Sequence, residues 1–119
     1  RWELDGWKRN PPMYPIDISF IKDGVITGFA EIKCRTVPKD RYETYMISVS
    51  KVMAANSLSR VTRLSCLLVV KWTDSLGWID LIKAQPEFVA WGGRSDRQDS
   101  QDMEPVIHFD IGNFNMDCL

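Results

Sequence analysis

The chain has little of what marks several common protein classes. Its three cysteines, Cys34, Cys66 and Cys118, are far apart and odd in number, with no C-x-x-C pair. That argues against a disulfide framework or a zinc site and fits a reducing compartment. There is one histidine, His108, and no Ser, Cys and His set that would make a nucleophilic triad. No Gly-rich nucleotide-binding motif, internal repeat or low-complexity tract is present. No apolar run approaches the roughly 20 residues of a membrane span. No secretory leader is visible, although the sequence starts at Arg1 rather than at a Met. The net charge of −1 gives no advertisement of a polyanionic partner.

What is present is core material and an uneven charge distribution. With 119 residues, 45% apolar, five Trp and five Phe, one domain over residues 1–119 is expected. Residues 1–63 carry 11 Lys/Arg against 7 Asp/Glu, and residues 64–119 carry 4 against 9. The first half can therefore present a basic face, although most such charges are simply solvated.

The informative stretch is Pro15 to Arg35. Ile16 to Ile21 alternates as a strand with one face more apolar, Lys22-Asp23-Gly24 reads as a turn, and Ile26 to Lys33 as the return strand. Gly28 and Ala30 make one face of that return strand small, which suits a helix packing on it. The opposite face carries Phe29, Glu31 and Lys33. Whether Asp17 shares it depends on the turn. A two-residue Asp-Gly loop pairs residues whose numbers sum to 47 and sends Asp17 to the wrong side. A three-residue loop with Gly24 left-handed pairs numbers summing to 46, setting Asp17 opposite Phe29 and diagonal to Glu31. The even register with Gly24 at positive φ is the expectation. Two carboxylates and an amine so placed can hold a divalent cation and steer a water.

Around the hairpin, Arg1 to Pro12 reads as the tail of a helix ending near Gly6, then an irregular connection. Asp40 to Glu43 has capping-box spacing. Tyr42, Tyr45, Met46, Val49, Val52 and Met53 follow at helical intervals, predicting a helix from about Arg41 to Ser57 with this stripe in the core. Lys51 lies off that stripe, either solvated or projecting toward a sheet edge and a phosphate. Cys66 to Trp72 reads as a strand buried on both faces. Trp78 to Ile82 reads as its antiparallel neighbour, Pro86 to Trp91 as a short strand, and Pro105 to Ile111 as a late strand, possibly at an edge. Cys34 should face away from Lys33 into the core. His108 reads as a partly buried, hydrogen-bonded residue. The polar loop from Gly92 to Glu104 has no calcium-loop spacing. Its Arg94 and Arg97 are either salt-bridged in solvent or a finger for phosphates.

The order strand, turn, strand, helix, strand, strand, with Pro15-Ile16-Asp17 in the first strand and Glu31-Ile32-Lys33 ending the second, resembles the PD-(D/E)XK nuclease superfamily, and especially its small stand-alone bacteriophage members. Ile16 splits the motif's Pro-Asp pair. The resemblance implies an α/β fold with a mixed central β-sheet, flanking helices and a restriction-endonuclease-like core. It implies a metal-dependent nuclease hydrolysing phosphodiester bonds in DNA, or RNA, with Mg²⁺ or Mn²⁺ as cofactor. Asp17 and Glu31 take the metal-ligand positions with the Ile32 backbone carbonyl as a third, Lys33 takes the catalytic lysine's place, and Glu3 is the candidate for the family's first-helix acid. Arg35, Arg41, Lys51, Arg94 and Arg97 are candidate nucleic-acid contacts. A host cytoplasm, no membrane partner and a homo-oligomer are the accompanying expectations. Two competing readings are a catalytically inactive member that binds nucleic acid or protein, and a structural or assembly subunit.

Overall fold

A computed structural model describes residues 6–93 and 103–117. The expected first-helix acid Glu3, the loop residues Arg94 and Arg97, and Cys118 lie outside the described residues. The described residues form a six-stranded sheet, a three-stranded sheet and one α-helix.

The first element is a strand, β1 (Gly6–Arg9), rather than the end of a helix. It pairs antiparallel with β2 (Ile18–Lys22), and Pro11-Pro12 in the connection could not have continued a helix. β2 returns into β3 (Val25–Cys34) through a two-residue turn, with Asp23 at φ 52° and Gly24 at φ 75°. Gly24 is left-handed as expected, but the loop is the tighter type I′ form that Asp-Gly favours.

Beside that turn the pairs are Lys22–Val25 and Ile21–Ile26, the odd register. The ladder then shifts between Phe20 and Ile21, leaving Thr27 without a partner on β2. Beyond the shift the pairs are Phe20–Gly28, Ser19–Phe29 and Ile18–Ala30, whose numbers sum to 48. An extra residue in one strand thus restores an even register, through a bulge in mid-hairpin rather than at the loop. The expected pairing of Asp17 with Phe29 is corrected by two residues: Ser19 faces Phe29, and continuing the register sets Asp17 across from Glu31.

The predicted helix over Arg41 to Ser57 divides into three pieces. A 3₁₀ turn covers Lys39–Arg41, strand β4 runs Thr44–Ser48, and α1 runs Val49–Thr62. Tyr45 and Ile47 are buried while Met46 is exposed, which is the period of a strand. The helical spacing of Tyr42, Tyr45 and Met46 was accidental, and Tyr42 and Met53 are exposed rather than in the core. Asp40 caps no α-helix. The cap is Ser48, whose hydroxyl accepts the Ser50 N–H at 3.2 Å, while Arg63 ends the helix in the left-handed conformation at φ 62°.

β5 (Ser65–Lys71) pairs parallel with β3, and β6 (Leu76–Asp80) antiparallel with β5. Only one face of β5 is fully buried: Cys66, Leu68 and Val70 are inside, whereas Leu67 and Val69 are half-buried. The second sheet joins β4 to β8 (Met103–Asp110) and β8 to β7 (Phe88–Gly93). β8 is therefore its central strand rather than an edge. A short β9 (Asn115–Asp117) completes the large sheet, whose order is β1-β2-β3-β5-β6-β9.

α1 covers the face opposite to the one expected. Its Val52 and Ala55 share a core with Phe29, Cys66 and Leu68, along with Tyr45, Ile47 and Phe109 of the small sheet. The Gly28–Ala30 face carries a separate cluster of Ile18, Phe20 and Ala30. Small residues there accommodate the neighbouring Phe20 ring, 3.6 Å from where a Gly28 Cβ would stand. Cys34 does face away from Lys33, but it is exposed rather than in the core. His108 is half-buried, with Nδ1 2.7 Å from Thr44 Oγ1 and its ring stacked on Phe88.

Candidate active site

β3 carries Glu31 and Lys33 on the face that α1 covers. Parallel pairing with β5 fixes that face, because Glu31 pairs with Leu68 and Lys33 with Val70, both core residues. A strand projects alternate residues to one side, so Glu31 and Lys33 rise together.

Asp17 stands just before β2, where the ladder stops. Ile16 turns into the core, and the Asp17 side chain takes over a backbone role: Oδ2 accepts the Ile32 N–H at 2.9 Å. The N–H and C=O of one strand residue leave by the same edge. The bond that ties the Ile32 amide to Asp17 therefore also directs the Ile32 carbonyl toward Asp17.

Asn10 shapes this corner and was missed in the sequence reading. Its backbone N–H donates to the Asp17 carbonyl at 2.8 Å, its Nδ2 donates to the Ile16 carbonyl at 2.9 Å, and its Oδ1 accepts from Ser19 Oγ at 2.7 Å. The only available signal was an amide side chain beside a Pro pair, which fixes no partner across such a loop.

Glu31 is the unusual group. Its side chain is 2% exposed, among the most buried in the molecule. Oε2 lies 3.2 Å from Lys51 Nζ and 3.5 Å from Lys33 Nζ. Oε1 is buried and has no hydrogen-bond partner. Lys51 Nζ also donates to the Pro15 carbonyl at 2.6 Å, tying α1 to the segment that presents Asp17. The sequence left Lys51 either solvated or projecting toward a sheet edge and a phosphate, and neither reading named its partner here, the Glu31 carboxylate. An ionised carboxylate is costly to bury unless every oxygen is engaged, and half of this one is not.

The other basic candidates divide. The Arg35 N–H donates to the Lys71 carbonyl at 2.8 Å, extending the β3–β5 ladder by one step, and its guanidinium lies over the Tyr45 ring 5.0 Å from the centroid. Arg35 thus follows Lys33 on the same face. Arg41 sits in the 3₁₀ turn against Tyr42, not at a helix start.

Among the described residues no three His, Cys, Asp or Glu side chains converge. Two carboxylates with a strand carbonyl are nonetheless a sufficient donor set for Mg²⁺. That ion binds oxygen, keeps several of its waters and commonly uses only one or two carboxylates. The unpartnered Glu31 Oε1 fits such a ligand.

Residues 2–116 match the family described as "Phage putative PDDEXK endonuclease". The chain belongs to this family. Among solved structures it is similar to the Holliday junction resolvase Hjc of the archaeal hyperthermophile Archaeoglobus fulgidus. That likeness has a TM-score of 0.59 and 11% identity over 91% of this chain and 71% of Hjc. The search of curated proteins finds no match. Membership in the family and the fold shared with Hjc mark a PDDEXK-type nuclease, with the mixed sheet of the restriction-endonuclease-like core.

Proposed function

We propose that the protein is a divalent-cation-dependent endonuclease that hydrolyses phosphodiester bonds in DNA. The observation that carries this reading is the buried Glu31 carboxylate, with one oxygen between two ammonium groups and the other unpartnered. Asp17, Glu31 and the Ile32 carbonyl would hold Mg²⁺ or Mn²⁺, which when bound supplies an acidified water and a polarised phosphoryl oxygen.

The chain's own residues have separate tasks. Glu31 is fixed on a central strand, and its orientation is set by Lys51 from one side and Lys33 from the other. Asp17 is fixed by its bond to the Ile32 amide and by Asn10 on its backbone. Lys33 is 37% exposed, so its ammonium can turn from Glu31 toward an approaching phosphate. There it hydrogen-bonds the attacking water and offsets the negative charge that grows on the phosphoryl oxygens. Lys51, less exposed and bound to two oxygens, acts through Glu31 as a positioning residue.

DNA as the substrate is supported by the endonuclease family and by the junction-resolvase name of the structural neighbour. The phage family supports work inside an infected host cell, and no described helix is long and apolar enough to cross a membrane. The test is incubation with supercoiled, linear and single-stranded DNA in Mg²⁺, Mn²⁺ or EDTA. Cleavage that needs the cation and disappears in Lys33→Ala is expected. Folded protein that cuts none of these substrates, or cuts equally in EDTA, would overturn the proposal.

A further inference from the structure

Beyond Lys33, the face of β3 that carries the candidate site opens into a cavity of about 400 Å³, large enough for a small ligand. Its walls include Arg35, Lys39, Tyr42, Tyr45, Trp72 and His108. The aromatic floor is rigid. Tyr45 and Trp72 meet edge to face at 6.2 Å, and Phe114 packs against both, at 5.7 and 5.3 Å. The rim ring, Tyr42, is 61% exposed, with the Arg41 guanidinium over one face 5.7 Å from the centroid.

The polar groups suit a nucleotide. Among the described residues no carboxylate lies within ion-pair distance of the Arg35 guanidinium, and the Lys39 side chain stands nearby. The Tyr45 phenol oxygen is buried without a partner. Burial pushes that phenol up to about 12, with Arg35 opposing and Glu31 adding to the shift. Tyr45 therefore keeps its proton at neutral pH and remains a donor lacking an acceptor.

We propose that this pocket takes one unpaired nucleotide of the DNA strand being cut, its base stacked on Tyr42 and its phosphate on Arg35 and Lys39. The inference rests on the nuclease reading and sharpens it: the substrate is DNA with a nucleotide out of the stack near the scissile bond. A base already unpaired costs least to place in such a pocket. Aromatic stacking together with a cation on the backbone is how proteins hold single nucleotides without reading sequence.

The experiment uses Lys33→Ala protein in Mg²⁺ and two fluorescent DNA hairpins, identical except that one carries a single bulged nucleotide. Fluorescence anisotropy gives the affinity for each. The bulged hairpin is expected to bind about tenfold more tightly, the scale of one base–aromatic stack. Adding Tyr42→Ala is expected to bring the ratio to about one. Equal affinities before Tyr42 is changed, or a ratio that Tyr42→Ala leaves intact, overturn the pocket assignment while the nuclease reading stands. Binding to neither hairpin also overturns the pocket assignment, and the nuclease reading is then decided by the cleavage assay alone.

Discussion

Lys51 Nζ lies 3.2 Å from Glu31 Oε2 and 2.6 Å from the Pro15 carbonyl, so one side chain of α1 joins the helix, the central strand and the approach to Asp17. Lys51→Met removes the nearer and less exposed of the two ammoniums on a buried carboxylate, leaving only Lys33 at 3.5 Å. Breaking a buried pair costs roughly 3–5 kcal/mol; with Lys51 29% exposed, a loss on the order of 2 kcal/mol is expected in urea unfolding. Glu31→Gln behaves oppositely. The two ammoniums can reach water and the orphaned charge is gone, so stability should hold or rise while cleavage falls by on the order of 10²-fold or more. A Glu31→Gln protein as unstable as Lys51→Met would show that the pair is there for folding.

Thr27 is the residue left without a partner at the bulge. Deleting it removes the bulge and makes the ladder continuous, yet leaves Phe20–Gly28, Ser19–Phe29 and Ile18–Ala30 paired and Asp17 across from Glu31; only the turn end, Ile21–Lys22 and Val25–Ile26, changes face relative to the site. The variant is therefore expected to keep both its circular-dichroism spectrum and its cleavage, because the pairing at the site is untouched. Lost cleavage in a folded deletion variant would mean that the distortion at the bulge, and not the pairing beyond it, places Asp17.

The hairpin shows how far sequence could lead here. The two strands and the positive φ of Gly24 were legible from alternation and turn chemistry, whereas the expected three-residue loop was not what forms: the turn closes in two residues, and the even register near Asp17 comes from the bulge. The bulge was not legible, because an unpaired Thr in mid-strand leaves no local mark. The same limit explains α1. Tyr42, Tyr45 and Met46 fit a helical stripe, but β8 offered Tyr45 and Ile47 a ladder and a core, and those partners lie some sixty residues away in the chain. Glu31 was legible as a candidate ligand, whereas its burial and its contact with Lys51 depend on which sheet face the helix covers. The small residues Gly28 and Ala30 pointed to the wrong face.

Asn10 is expected to matter to both stability and activity. Asn10→Ala deletes the side-chain bonds to Ile16 and Ser19 at the corner that presents Asp17. Each such bond is worth about 1 kcal/mol. A thermal shift downward and a roughly tenfold drop in cleavage, with KM little changed, would identify it as a positioning residue. Lower stability with undiminished activity of the folded fraction would assign it to folding alone.

The cysteines make a test of the packing that is independent of activity. Burial pushes the Cys66 thiol up to about 12, with the nearby Glu31 and Asp80 adding to the shift, whereas Cys34 is exposed. At pH 8 in native protein, iodoacetamide should modify Cys34 and spare Cys66, because the reactive thiolate is scarce and enclosed. Peptide mapping by mass spectrometry reads the result, and Cys66 should become reactive in urea. Rapid native labelling of Cys66 would contradict the core beneath α1.

Cation binding tests the central claim most directly, since it does not depend on finding the right DNA. Mn²⁺ titrated into the protein and followed by electron paramagnetic resonance should show one site, weakened at least tenfold in both Asp17→Asn and Glu31→Gln and retained in Lys33→Ala. Undiminished Mn²⁺ binding in both carboxylate variants, with their folds intact, would contradict a cation held by Asp17 and Glu31.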